Sequence, residues 1–99
     1  TATDAYNNII AGMANQFGLA LVDINAKLKE AAESGITVDG VVFTTEFVSG
    51  NTFSLDGIHL TGKGSAMAAN FFIDAINSTY NSQLKPVNPG LYPGIYYYR

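Results

Sequence analysis

The sequence predicts an α/β fold, read as a partial three-layer α/β/α sandwich, and three observations predict it. Apolar residues recur at helical spacing in three separate stretches. A short, continuous apolar run lies between the first two. An Asp-Gly pair sits between β-branched residues further along.

The first stretch, residues 3–17, carries Tyr6, Ile9, Ile10, Met13, Ala14 and Phe17 on one helical face. Thr3 is placed to cap its start, and Gly18 stands where a left-handed terminal glycine belongs. Leu19-Ala20-Leu21-Val22 then reads as a strand buried on both faces, as in a parallel sheet covered by helices. Asp23 or Asn25 caps a second helix, with Leu28, Ala31 and Ala32 inward and Gly35 at its end. Residues 36–43 predict a two-stranded ribbon turning at Asp39-Gly40, with room to continue to Val48. After the loop Ser49–Thr52, Thr61 caps a third helix over about 62–80, whose apolar positions are Ala69, Phe72, Ile73, Ile76 and Tyr80. Pro86, Pro89 and Pro93, with Gly90 and Gly94, forbid regular structure beyond it. The ending, Tyr96-Tyr97-Tyr98-Arg99, reads as a surface strap or a link onward.

A chain of 99 residues is at most one domain. At this size folding buries roughly 65% of the unfolded surface, enough for one modest core. The composition is 47% hydrophobic and 13% charged, which excludes disorder and leaves little charge to cover a free surface. The five Lys and Arg are scattered, so no nucleic-acid stripe forms. No apolar run approaches the length of a membrane span. Without cysteine there are no disulfides or thiolate metal sites. Thr1-Ala2-Thr3-Asp4 has no signal-peptide character and reads as a helix entered mid-protein. One buried strand cannot make a sheet, so the partners of residues 19–22 are expected from a missing N-terminal half or from a second copy in a homo-oligomer.

Chemistry concentrates at the one histidine, His59, three residues after Asp56 in Phe53-Ser54-Leu55-Asp56-Gly57-Ile58-His59-Leu60-Thr61-Gly62-Lys63-Gly64. A serine hydrolase needs an imidazole to take the serine proton and a carboxylate to orient that imidazole. Asp at i and His at i+3 of one tight turn can meet this need, with Gly57 allowing the turn to be sharp. Asp-x-x-His alone is a weak signal, because Asp56 can equally cap a turn and His59 can be a hydrogen-bonded surface residue. One His and one Asp are too few for a metal centre.

The string Ser54–Thr61, followed by Gly62, Gly64 and an Ala-rich helix, resembles the last sequence block of SGNH/GDSL hydrolases, Asp-x-x-His-(Pro or Leu)-Thr and then glycine. The helix, strand and helix before it resemble the elements preceding that block. Leu91-Tyr92-Pro93-Gly94 is similar to the ends of Bacteroides-type secreted or lipoprotein members. The resemblance covers most of the chain, but only residues 53–64 form a motif. It implies a flavodoxin-like domain of which residues 1–99 are the C-terminal part, with 81–99 irregular. It further implies a lipase or esterase acting on carboxylic esters of lipids or carbohydrates, with His59 as general base and Asp56 as its orienting partner. It implies a secreted, periplasmic or outer-membrane location and no cofactor.

The chain departs from that pattern in having no Gly-Asp-Ser nucleophile and no Gly-x-Asn-Asp oxyanion donor. Ser54, two residues before Asp56, reads as a turn residue. The chain alone is therefore expected to be inactive. Asp23 reads as a helix cap rather than a ligand group. Val41, Val42, Phe43 and Phe47 read as core cover rather than an acyl pocket, and Tyr92 with Tyr96 to Tyr98 as strap rather than a carbohydrate platform. The alternative to an esterase is a non-catalytic, self-associating interaction module in which Asp56 and His59 are structural.

Overall fold

Thr1, not Thr3, opens the first helix. In the computed structural model, which describes residues 1–46, 50–53 and 58–94, α1 spans Ala2–Phe17. The Thr1 side chain accepts from the Asp4 backbone N–H while the Asp4 carboxylate accepts from Thr1, a reciprocal box that fills two otherwise unbonded donors. These hydrogen bonds, led by that from the Thr1 side chain, hold the Asp4 carboxyl below its usual range. Gly18 ends the helix in the left-handed region at φ 64°.

The next segment departs from expectation. Residues 19–23 are not a strand; among the described residues no strand pairs with them. Leu19 N–H donates to the Ala14 carbonyl and Ala20 N–H to the Tyr80 hydroxyl, while at the other end the Val22 and Asp23 carbonyls accept the Ile24 and Lys27 N–H groups. A groove of about 410 Å³ runs beside it, walled by Leu21, Val22, Ile36, Val38, Phe71 and Ala75. The run has strand composition but no neighbour among the described residues that would make it a strand.

Helix α2 (Ile24–Glu33) is capped by Asp23, whose Oδ1 accepts the Ala26 N–H at 2.9 Å. Ala31 is buried and Leu28 half-buried, while Ala32 is exposed, contrary to its expected inward position. Strands β1 (Ile36–Val38) and β2 (Val41–Phe43) pair antiparallel in the register Ile36–Phe43, Thr37–Val42 and Val38–Val41. Asp39 and Gly40 both have positive φ, 49° and 81°, which defines the type I′ turn that their sequence predicts. The ribbon stops at Phe43, short of its expected limit; Phe47, Val48 and Ser49 lie outside the described residues. Phe43 is fully buried and serves the core, whereas Val42 on the other face is exposed.

Helix α3 (Gly62–Tyr80) starts at its expected cap, Thr61. Its buried face carries Gly64, Ala66, Met67 and Asn70, while Phe72 and Tyr80 are exposed. Asn81 turns the chain back in the left-handed region, and residues 82–94 run along α3 toward its start. Two asparagines hold this strap. Asn77 donates to the Leu84 carbonyl and accepts its N–H, both at 3.0 Å. Asn70 does the same with Val87, both at 2.8 Å. The strap is irregular as expected, except for a 3₁₀ turn, η1 (Pro89–Leu91), that packs on α3 with Pro89 fully buried. The tyrosines of the C-terminal ending, Tyr96 to Tyr98, lie outside the described residues.

The described fold is thus mixed α/β, with three α-helices and one two-stranded antiparallel sheet. Its core is small and sits between α2, α3 and β2, around Ala31, Phe43, Ala66 and Met67. The apolar stripe of α1 does not join it: Tyr6, Ile9, Ile10, Met13 and Phe17 are 53–66% exposed. Leu19, Leu21 and Ile24 are also exposed, so this part of the chain leaves many large apolar residues uncovered, as interaction surfaces do. The chain exposes 6872 Å² in all, against about 5400 Å² for a compact monomer of its mass. Its radius of gyration is 14.9 Å, against about 13 Å for a compact domain of this length.

Two outcomes follow for the purified chain. Phe43→Ala costs about 3–5 kcal/mol, read as a lower urea midpoint, because it empties the centre of a small core. The wild-type chain self-associates in size-exclusion chromatography with light scattering, and Ile10→Lys, in mid-stripe, returns it toward monomer.

Candidate functional site

The turn that bears His59 is defined by how its two ends are held. On the entering side, Thr44 and Asn51 form a parallel bridge, and Asn51 Nδ2 donates to the Val42 carbonyl at 3.0 Å. This ties the turn to β2. On the leaving side stands Thr61. Its N–H donates to the Thr52 carbonyl at 3.0 Å, and its hydroxyl donates to the Asn51 carbonyl at 2.6 Å. The same hydroxyl oxygen accepts the Gly64 N–H at 2.9 Å as the cap of α3. Phe53 and Leu60 pair one step further out as an antiparallel bridge. Phe53 and Leu60 are therefore held side by side beyond a neck made by Asn51, Thr52 and Thr61.

The neck is tight because Gly64 has no side chain. A Cβ there would overlap the Thr52 carbonyl. Thr52 is fully buried and Thr61 nearly so, and each hydroxyl has a backbone partner, the Thr52 hydroxyl donating to Gly50. A buried hydroxyl without a partner costs roughly 1–3 kcal/mol, so this satisfaction is a condition of the packing.

His59 is exposed, as are its neighbours Ile58 and Leu60. The imidazole is thus on the surface of the turn and not sealed in the core. Asp56 and Ser54 lie outside the described residues. Behind the turn, an apolar cavity of about 90 Å³ lies between α2 and α3, walled by Leu28, Phe53, Leu60, Met67 and Phe71. Lys27 sits over the Phe71 ring at 5.2 Å, which closes one side of that cavity with a cation held on an aromatic face. Asp23 is a cap, as expected, and Phe43 is core. Among the described residues no three His, Cys, Asp or Glu side chains converge as a metal site would require, and no helix is long and apolar enough to cross a membrane.

Sequence reading missed the asparagines. Asn70 and Asn77 stand in a helix, where Asn is a poor former, seven residues apart on the face that meets the strap. Two asparagines at that spacing before a proline-rich run are the signal that could have found them. No protein-family model, curated protein or solved structure matches the chain.

The neck assigns Thr61 two tasks, and substitution separates them. Thr61→Ser retains both and stays near wild-type stability. Thr61→Ala loses cap and latch together and costs about 1–2 kcal/mol in urea unfolding, the upper part of the range for caps.

Proposed function

We propose that the chain is the C-terminal part of a serine esterase domain of SGNH/GDSL type. The observation that carries the reading is the string from Phe53 to Gly64, in which the chain's one histidine follows an aspartate by three residues and leads straight into a capped helix. The exposure of His59 supports it, since a general base must reach a nucleophile and a sealed imidazole could not. The unpaired segment 19–23 and the bare stripe of α1 support the second half of the proposal. In that half, further polypeptide covers this face, pairs with residues 19–22 as strands of a three-layer sandwich, and carries the serine and the oxyanion donors.

In this reading His59 takes the serine proton as the serine oxygen attacks the ester carbonyl. The alcohol leaves with a proton returned from His59, and an acyl-enzyme remains. His59 then takes a proton from water, the hydroxide attacks the acyl carbon, and the carboxylic acid departs as the serine is reprotonated. Asp56 holds the imidazole in the tautomer that this requires. Substrates are acyl esters of lipids or carbohydrates.

A second reading, a non-catalytic self-associating module, draws on the same bare stripe. It leaves the exposed His59 without a task, and for that reason ranks behind the first.

The chain alone is expected to leave p-nitrophenyl butyrate unhydrolysed above buffer. The same chain extended upstream through its coding region hydrolyses it, and His59→Ala lowers kcat by about 10⁴-fold or more. An upstream region with no Gly-Asp-Ser after a strand, or an extended protein whose activity survives His59→Ala, sinks the esterase reading.

A further inference from the structure

We propose that the apolar cavity between α2 and α3 is a binding site for a short straight-chain carboxylate, its hydrocarbon tail inside and its carboxylate on the Lys27 ammonium at the rim. The site is a property of this chain and does not depend on the esterase reading. On that reading its ligand belongs to the class of product that the reaction releases, a carboxylic acid.

The wall of the cavity is graded from base to mouth. Thr52, Gly64 and Met67, all buried, form its base. Leu28, Phe53, Ala68 and Phe71, all half-buried, form its sides, and the exposed Ile24 and Leu60 stand at its mouth. At about 90 Å³ it exceeds the gaps of an ordinary interior, which are rarely larger than one water. Water gains little by filling it, because an enclosed water needs several hydrogen-bond partners to stay. Thr52 offers few: its hydroxyl donates to the Gly50 carbonyl, and its own carbonyl accepts the Thr61 N–H. Apart from Lys27 the remaining side chains of the wall are hydrocarbon, so an apolar tail gains where water does not. Ala68 keeps the space open, since a larger side chain at that position of α3 would occupy it.

Lys27 supplies the second element of recognition. It lines the cavity, and its Nζ stands 5.2 Å from the centre of the Phe71 ring, another part of the wall. Glu30 faces it at 3.6 Å, with both side chains about half exposed. That distance is longer than a hydrogen bond, and so exposed a pair contributes little. The ammonium therefore keeps donors for a ligand carboxylate, and the bound charge stays at the surface. The volume sets the length of the tail. At roughly 30 Å³ per non-hydrogen atom, the share of a water in the liquid, the cavity takes about three carbons. With the carboxyl carbon at the rim, the fitting ligand is butyrate. Acetate leaves most of the space empty, and a longer tail emerges at the mouth.

The chain's two methionines make the test direct. Met67 lines the cavity, while Met13 is exposed on α1 and is not part of the wall. The 99-residue chain, isotope-labelled at the methionine methyl groups, is titrated in NMR spectra at constant pH and ionic strength. The probes are sodium acetate, propionate, butyrate and hexanoate, and butanol as the uncharged analogue. Ligands of so few atoms bind weakly, so each titration runs to about 0.1 M. The expected result is a Met67 signal that moves to saturation with butyrate while Met13 stays in place. Affinity rises about fourfold with each carbon from acetate to butyrate and no further to hexanoate. Lys27→Gln weakens butyrate by about threefold, toward the level of butanol. Ala68→Leu fills the cavity and abolishes the Met67 response. The proposal is overturned by a Met67 signal that butyrate leaves unmoved or by a Met13 signal that moves as far. An affinity that climbs on through hexanoate, as adsorption on the bare stripe of α1 would, also overturns it. So does equal binding of butyrate and butanol, since Lys27 would then select nothing. Should Ala68→Leu fail to fold, Ala68→Val, which adds a smaller side chain, takes its place. No ester enters these titrations, so an empty cavity leaves the esterase reading standing, and a failed ester assay leaves the bound butyrate standing.

Discussion

The contact between the Thr52 carbonyl and Gly64 governs this part of the molecule. It requires a residue without a side chain in the first turn of α3. It brings Thr61 to where one hydroxyl serves the helix and the neck together. It also fixes how β2, reached through Asn51 and Thr44, sits against α3. The hairpin, the turn and the helix are elements from different stretches of the chain, and this close backbone approach joins them. The energy involved is a few hydrogen bonds of about 1 kcal/mol each. Its importance is geometric: with the neck in place, Phe53 and Leu60 have fixed positions.

The opposite end of the molecule is organised by what it leaves undone. Helix α1 has a well-formed start and finish and a continuous apolar stripe, yet its one buried residue is the small Ala14. Local signals suffice to make the helix, and burial of its stripe requires a surface that the described residues do not provide. The same holds for residues 19–23, whose apolar run is tethered by Tyr80 and Ala14 and then lies beside an open groove. The scarcity of charge in the sequence and the excess of exposed surface in the fold express one fact, that the apolar content is larger than the core that uses it.

Much of this was legible in the sequence because it is written in local rules. Gly18, Asp23, Asp39-Gly40 and Thr61 each act where short-range chemistry puts them, and three helices and the hairpin follow. Residues 19–22 read as a strand whose partners lie elsewhere; a strand is defined by its neighbour, and with none among the described residues they do not form one. The inward face of α3 was misjudged for a related reason. Phe72 and Tyr80 are the strong apolar signals, but the packing is done by Gly64, Ala66, Met67 and Asn70, small or polar residues chosen for close approach. Of the candidate site, the Thr61 cap was legible from sequence order; the exposure of His59 was not, because burial depends on what packs over the residue. The neck and the strap were not, because both are built from side chain to backbone bonds between residues far apart in the chain.

The two asparagines that hold the strap also act as a gauge. Seven helical residues from Asn70 to Asn77 rise about 10.5 Å, and three extended residues from Leu84 to Val87 cover about 10 Å. The two spacings agree, so both amides can engage the strap at once, and they do so in one alignment. One residue added or lost between Leu84 and Val87 would put the second pair out of step by about 3 Å, more than a hydrogen bond tolerates. Length variation is therefore barred from that short segment. The tip at Asp39-Gly40, which is exposed at the end of the hairpin, is free to accept it. Inserted sequence, whether by evolution or by design, has an open position at the hairpin and a closed one along the strap.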